Sequence, residues 1–424
     1  MSVQTVDAGW RSQSMTSAPV APHGHALQSA LRLVQIDRAR LAALLGSASG
    51  EDGAAAAFDQ AFPGAMGAVC MGAAAHEPVL ADTVPDLPLA PVHMTQLVPQ
   101  RATAEWQNSP SAAHEASCYE IWQCAADDLR SVRRGALHYR YSEAAGLVFG
   151  SIVLNEADFV VQPAAQAPME APLERATEAA YRMLFDLLDA LDMPHPLRIW
   201  NTVPAINVEQ HGVERYRQFN AGRQHAFEAC RRALTGSVPA ACALGSVGPL
   251  SAEGVPGEPL AVYFLASRTP ADAIENPRQV SAFDYPAQYG ARAPTFARAA
   301  AWSGAPGAEL APVLFISGTA SIVGHRTVHP GDVLAQTRET LANLAAVLDQ
   351  AARQGHGPFA LVDLAFKVYV RDGADTAALA AIDKLLREAA GPHVQPLYLH
   401  ADVCRSDLLI EIEASAGHEM ASLA

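Results

Sequence analysis

Near the end of the chain, Leu408, Ile410 and Ile412 alternate with Leu409, Glu411 and Glu413. A period of two predicts a strand with aliphatics on one face and two carboxylates beside a leucine on the other. The same reading finds strands at Tyr119–Gln123, Ala136–Tyr141, Leu147–Leu154, Leu197–Pro204, Leu260–Arg268, Val313–Thr319 and Leu361–Val370, all rich in β-branched and aromatic residues. Helical spacing appears over Pro172–Leu191, Gly212–Leu234 and Asp375–Glu388. It appears again after Asp332, which is placed to cap a helix whose face is Leu334, Thr337, Leu341, Leu344 and Leu348.

Strands and helices in this order predict an α+β fold. Three parts are expected: an N-terminal extension over 1–90, partly flexible; an α+β domain over 91–240; and a C-terminal domain over 241–424, joined through a Gly/Pro/Ser loop at 245–259. Leu27, Leu31, Val34, Leu41, Leu44 and Leu45 predict one amphipathic helix within the extension, over 24–45. His23 and His25 lie beside it without a third ligand, so no metal site is assigned there.

With 424 residues, half of them apolar, the chain can bury a large core. The net charge of −15 argues against nucleic acid as a partner, because polyanion binding requires a basic face. Lys367 and Lys384 are the only lysines, so an anionic substrate must be held by arginine, whose planar fork grips carboxylates. Arg217 and Arg223, on one predicted helix, are candidates for that grip.

The six cysteines show no CxxC spacing, which suggests a reduced, cytoplasmic protein. No signal peptide or bilayer-spanning stretch is expected, and hence no membrane partner. P-loop, GxGxxG and GxSxG patterns are absent, and His325/His329 and His400/Cys404 fall on turns or strands rather than helices. No cofactor and no metal are expected.

Ile316-Ser-Gly318, the helix Gln336 to Leu344, Lys367 to Asp372 and Ile410-Glu411-Ile-Glu413 together resemble the Rid (YjgF) imine deaminases. The resemblance implies a chorismate-mutase-like sheet backed by two helices, with ligand clefts between such units, and the upstream module would be a degenerate relative. Fold expectations are therefore two Rid/YjgF-like modules after the extension. One departure is plain: the Rid family holds its substrate carboxylate with an arginine before the Glu-x-Glu ending, and residues 392–404 contain none.

A longer resemblance, from about Pro91 nearly to the C-terminus, is to the chorismatases. It is carried by Trp200-Asn201, Glu214-Arg-Tyr-Arg217-Gln-Phe-Asn220-Ala-Gly-Arg223, Phe264 to Arg268, Glu275-Asn-Pro-Arg278, Phe296-Ala-Arg298 and Ser317-Gly-Thr-Ala-Ser-Ile-Val-Gly-His325. The resemblance implies cleavage of chorismate with release of pyruvate. Such a reaction needs cationic clusters for a dicarboxylate, and an acid kept protonated in a dry site to protonate the enolpyruvyl methylene carbon. Arg298 with Tyr285, and Arg223, are the expected anion holders, with Arg405 beside the site. Glu411 matches the family's general acid, while Glu413 is expected to be structural or solvated.

Chorismatases that make 3-hydroxybenzoate carry Cys and Gly where this chain has Cys404 and Gly318, whereas hydrolytic members tend to carry alanine at both. The resemblance therefore implies a 3-hydroxybenzoate type, with some 4-hydroxybenzoate, through an epoxide-like intermediate formed by the ring hydroxyl. The alternatives are a hydrolytic chorismatase giving the trans-3,4-dihydroxycyclohexa-1,5-diene carboxylate, and a Rid-like imine deaminase or small-molecule binding protein. A monomer or small homo-oligomer is expected.

Overall fold

In the computed structural model the described residues are 29–46, 51–72, 79–100, 117–160, 170–248, 256–305, 307 and 310–423. They build three mixed sheets, and the inner faces of all three meet in one core. The first sheet has the order Glu419–Leu423, Leu31–Asp37, Cys118–Cys124, Ala65–Met71, Leu89–Val92. The second runs Ala240–Leu244, His195–Thr202, Leu260–Ser267, Leu147–Leu154, Leu137–Ser142, Arg130–Arg134. The third runs Asp272–Ile274, Ala299–Trp302, Val313–Ala320, Ile410–Ala416, Ala365–Val370, Leu397–His400, Gln96–Leu97.

Strand alternation explains the layering, because each strand sends one set of side chains inward and the other outward. Leu31, Leu33 and Trp122 from the first sheet, Phe149, Leu197 and Trp200 from the second, and Val313, Phe315 and Tyr369 from the third share the central core. At its middle the Trp122 ring lies 6.1 Å from Trp200 and 6.0 Å from Phe315. Outward-facing residues are covered by helices. Val148, Ile152 and Phe264 pack on Leu184, Phe185 and Phe219 of helices Pro172–Ala190 and Arg215–Ala229. Ile316, Val368, Ile410 and Ile412 pack on Leu344, Leu348, Ile382 and Leu386 of helices Val333–Arg353 and Thr376–Ala390. Each such aliphatic or aromatic side chain contributes about 2 kcal/mol by leaving water.

Asp332 caps its helix as its position predicts, its carboxylate accepting from the backbone N–H groups of Leu334 and Ala335. The predicted strands and helices after residue 117 are present with small shifts at their ends; Leu361–Asp363 is a 3-10 turn ahead of the strand Ala365–Val370.

The N-terminal part differs from expectation. In place of a helix over 24–45, Leu31–Asp37 is a strand, and a helix begins only at Arg38; residues 24–28, like His23 and His25, lie outside the described residues. The cause is burial on both faces. Leu31 and Leu33 point into the central core while Val34 and Ile36 point under the outer helices, so apolar positions lose the simple alternation of a half-exposed strand. Residues assigned to an extension thus supply most of the first sheet, with Leu41, Phe58 and Leu80 of the outer helices and Phe62 packed onto it. The C-terminal strand Glu419–Leu423 returns to pair in parallel with Leu31–Asp37. The second sheet takes Leu260–Ser267 as an interior strand, so it extends well past residue 240.

Candidate active site

The Ile410–Ala416 strand lies between Val313–Ala320 and Ala365–Val370. With Ile410 and Ile412 turned toward the helices, Glu411 and Glu413 both face the second sheet, and both are buried, 4% and 5% exposed. Their surroundings separate them chemically.

Glu413 is saturated with donors. Lys367 stands directly opposite in the antiparallel register, with Nζ 3.0 Å from Oε1. Arg198 Nη2 lies 2.6 Å from Oε2, Trp200 Nε1 donates to Oε1 at 3.0 Å, and Cys242 Sγ donates to Oε2 at 3.1 Å. Lys367 is also paired to Glu120 of the first sheet at 2.6 Å. Burial by itself raises the Glu413 pKa, but Lys367 and then Arg198 more than offset it and hold the carboxyl at about 2. Glu413 is therefore buried and ionised; of the two expected possibilities, structural or solvated, its burial among these donors excludes the solvated one.

Among the described residues, no cation is bonded to Glu411. Burial first, and the charge of Glu413 second, push its pKa up to about 8, against weaker pulls from Arg198, Arg298 and the Cys404 hydrogen bond. At neutral pH it is a carboxylic acid. Cys404 Sγ lies 3.9 Å from Oε2. Burial, then the neighbouring Glu411, raise the thiol to about 12, so Cys404 stays protonated as well.

Room for the acid comes from the backbone. The register between Val313–Ala320 and Ile410–Ala416 slips between Ile316 and Thr319, a bulge that contains Gly318. A Cβ on Gly318 would run into a carboxyl oxygen of Glu411, and would also stand 3.2 Å from Cys242 Cβ.

These groups open onto a cavity of about 300 Å³ between the second and third sheets. Glu411, Cys404, Arg298, Tyr285, Arg223, Gly318 and Arg405, gathered from positions nearly 200 residues apart, all line it. Arg298, 4% exposed, donates from Nη2 to the Tyr285 hydroxyl and to the Val280 carbonyl, both at 2.8 Å, and lies over the Tyr285 and Phe296 rings. Arg405 stacks over Tyr289, 4.1 Å from the ring centre, and donates to the His325 carbonyl at 3.0 Å. Arg223 is held by Asn220 Oδ1 at 2.9 Å. Among the described residues, Arg223 Nε, Arg298 Nε and Arg405 Nη2 are buried without a hydrogen-bond partner. Guanidinium groups fixed by stacking and second bonds, each with a donor left over, suit an anionic ligand.

Arg217, a candidate from the sequence, lines the cavity too; Glu214, Tyr216, Cys242, Ser406 and Asp407 also line it and were not among the residues expected. Tyr216 and Arg217 lie within the helix motif read from the sequence, whereas Ala-Cys242-Ala-Leu reads only as an apolar strand. Among the described residues, Glu170, Glu174 and His225 bring three potential metal donors together, and none of the three borders the cavity. No helix among the described residues is long and apolar enough to cross a membrane.

A family model described as "Chorismatase FkbO/Hyg5-like, N-terminal" matches residues 120–266. A 3-hydroxybenzoate synthase of Streptomyces hygroscopicus is 40% identical over 258 residues, covering 59% of this chain and 72% of that protein. A chorismatase of Streptomyces rapamycinicus is 39% identical over 258 residues, with the same shares covered. A crystal structure of a chorismatase is similar with a TM-score of 0.61 at 27% identity, covering 83% of this chain and 93% of that one.

Proposed function

This chain belongs to the chorismatase family, and from that premise we propose that it cleaves chorismate to pyruvate and 3-hydroxybenzoate, with Glu411 as the proton donor. The observation that carries the reading is a buried glutamic acid, its pKa raised by that burial, at a cavity also lined by three guanidinium groups.

In this reading the substrate's two carboxylates bind the spare donors of Arg298, Arg405 and Arg223, with Tyr285 holding Arg298 in place. Glu411 delivers its proton to the methylene carbon of the enolpyruvyl ether. The ether oxygen becomes part of a cationic leaving group, and its departure as pyruvate is assisted by the neighbouring ring hydroxyl. An acid with a pKa near the working pH is suited to this transfer, because it is present in its protonated form and still gives the proton up readily. The hydroxyl oxygen closes an epoxide on the ring as it gives up its proton to the Glu411 carboxylate; one epoxide C–O bond then opens, a ring proton is lost, and protonation of the remaining oxygen leaves the aromatic phenol.

The two product outcomes differ by one water. Chorismate equals 3-hydroxybenzoate plus pyruvate in atoms, while the dihydrodiol incorporates one water more. Cys404 and Gly318 both border the Glu411 carboxyl, where the ring would lie, and support the aromatising outcome.

Incubating the purified protein with chorismate, and separating products while pyruvate is measured enzymatically, tests the proposal. Equimolar pyruvate and 3-hydroxybenzoate are expected, and Glu411→Gln is expected to lower turnover about a thousandfold. Absence of pyruvate overturns the activity. Pyruvate with diol in place of hydroxybenzoate overturns the product assignment, and unchanged turnover in Glu411→Gln overturns the role of the acid.

A further inference from the structure

Two residues apart on one strand face, the side chains of Glu411 and Glu413 are about 7 Å apart along the chain direction. Only Glu411 borders the cavity; Glu413 reaches the substrate through no contact of its own. Yet every donor around Glu413 acts to hold it ionised and immobile. Arg198, Trp200 and Cys242 approach from the second sheet, and Lys367 from the adjacent strand. Lys367 is itself shared with Glu120 of the first sheet, whose second oxygen accepts from Gln35 at 3.0 Å. The four charges Arg198, Lys367, Glu120 and Glu413 sum to zero. The member placed next to Glu411 on its own strand is the negative one.

We propose that Glu413 is a positioning residue for the reaction: a carboxylate locked by Arg198 and Lys367 whose fixed negative charge keeps the neighbouring Glu411 in its acid form. Through the Glu120–Lys367 pair the first sheet takes part in setting that charge. The inference rests on the reading of Glu411 as proton donor.

The other groups that face Glu411 are Cys404 in the preceding loop, Arg298 ahead of the Ala299–Trp302 strand, and Arg198 and Cys242 from the second sheet. Tyr216 from the Arg215–Ala229 helix and Tyr369, opposite in register, complete the set. Arg198 and Arg298 favour ionisation of Glu411. Cys404, Cys242, Tyr216 and Tyr369 are all shifted toward their neutral forms by burial, so none supplies a compensating charge. Among these groups Glu413 is the anion next to Glu411 on its own strand, while Glu214 and Asp407 line the cavity elsewhere; removing Glu413 therefore has a predictable sign.

Because Glu411 acts as an acid, activity is lost as pH rises through its pKa. Glu413→Gln removes the anion and leaves Arg198 and Lys367 in place, so the alkaline limb of kcat/KM is expected to move down by about one to two pH units. Glu120→Gln, which acts through Lys367, is expected to move it in the same direction by less. Glu413→Asp keeps the charge and is expected to keep the limb near its wild-type position even where kcat falls. A purely structural role lowers kcat in all three without ordering the limbs in this way.

Titration of the Glu411 carboxyl by 13C NMR, identified as the resonance missing from Glu411→Gln, gives the same midpoint without turnover. If the wild type releases no pyruvate, the proposed function fails, while the NMR midpoint still tests the influence of Glu413. An unmoved midpoint in folded Glu413→Gln overturns the proposal. Should that variant not fold, an unmoved midpoint in Glu120→Gln overturns it instead.

Discussion

The carboxyl of Glu411 occupies the space in which a side chain at Gly318 would begin. The two residues sit on neighbouring strands, and the bulge between Ile316 and Thr319 lets the acid lie flat over backbone, with Cys404 at its other side.

Gly318→Ala is therefore expected to push the carboxyl off its position and to lower the rate of pyruvate release at least tenfold. The overpacking also destabilises the fold by about 1–3 kcal/mol. Cys404→Ala vacates room on the opposite side, so the double variant Gly318→Ala/Cys404→Ala should be faster than Gly318→Ala alone. A double-mutant cycle on initial rates checks this non-additivity.

Burial holds Cys404 as a neutral thiol, so under the proposed function it would act on product choice through shape and hydrogen bonding and not through thiolate chemistry. Cys404→Ala is expected to raise the share of diol over 3-hydroxybenzoate, measured by chromatography of the products. At pH 8, alkylation of Cys404 should be on the order of a thousandfold slower than that of an unperturbed cysteine, since the thiolate is the reactive form. Peptide mass mapping after timed iodoacetamide treatment reads this rate.

The pH dependence of the fold follows from the same acid. Above the ordinary glutamate range the unfolded chain releases a proton that folded Glu411 retains, so the folded state binds more protons and stability falls as pH rises. That loss accumulates from about pH 4.5 and is complete once pH passes about 8. Glu411→Gln should be the more stable protein at pH 8, and the difference should shrink toward pH 5, as read from denaturant midpoints at the two pH values.

Arg298 combines a fork, two bonded partners and two aromatic neighbours, a geometry that an ammonium group does not reproduce. Arg298→Lys is expected to raise KM for chorismate by about tenfold to a hundredfold, close to 2 kcal/mol, with a smaller effect on kcat. Steady-state kinetics at fixed pH separates the two parameters.

The three central strands of the third sheet were legible from sequence, Val313–Ala320 and Ala365–Val370 as apolar runs and Ile410–Ala416 by its alternation, and each long helix over them has a capping aspartate; the short edge strands were not. The aliphatics of Ile410 and Ile412 and the acid at Glu411 follow from a period of two. Leu31–Asp37 escaped that logic, since a strand buried on both faces by non-identical layers has no alternation to read. Glu413 escaped it for another reason: whether a carboxylate on a strand is solvated depends on Lys367, Arg198 and Glu120, which lie 46 to 293 residues away in the chain and are matched only by folding. Cys242 is hidden in the same way, its apolar neighbours giving no sign that its thiol donates to the Glu413 carboxylate.

Three sheets from one chain around a shared core have a further consequence. In a ring of three identical subunits, a carboxylate buried at the axis meets two copies of itself, and any partner it has is repeated three times. Here the three faces carry different sequences. Glu413 can meet Lys367 and Arg198, and Trp122, Trp200 and Phe315 can divide the middle unequally. Without that symmetry a single carboxylate is paired once, by groups drawn from different sheets, and the junctions are free to differ.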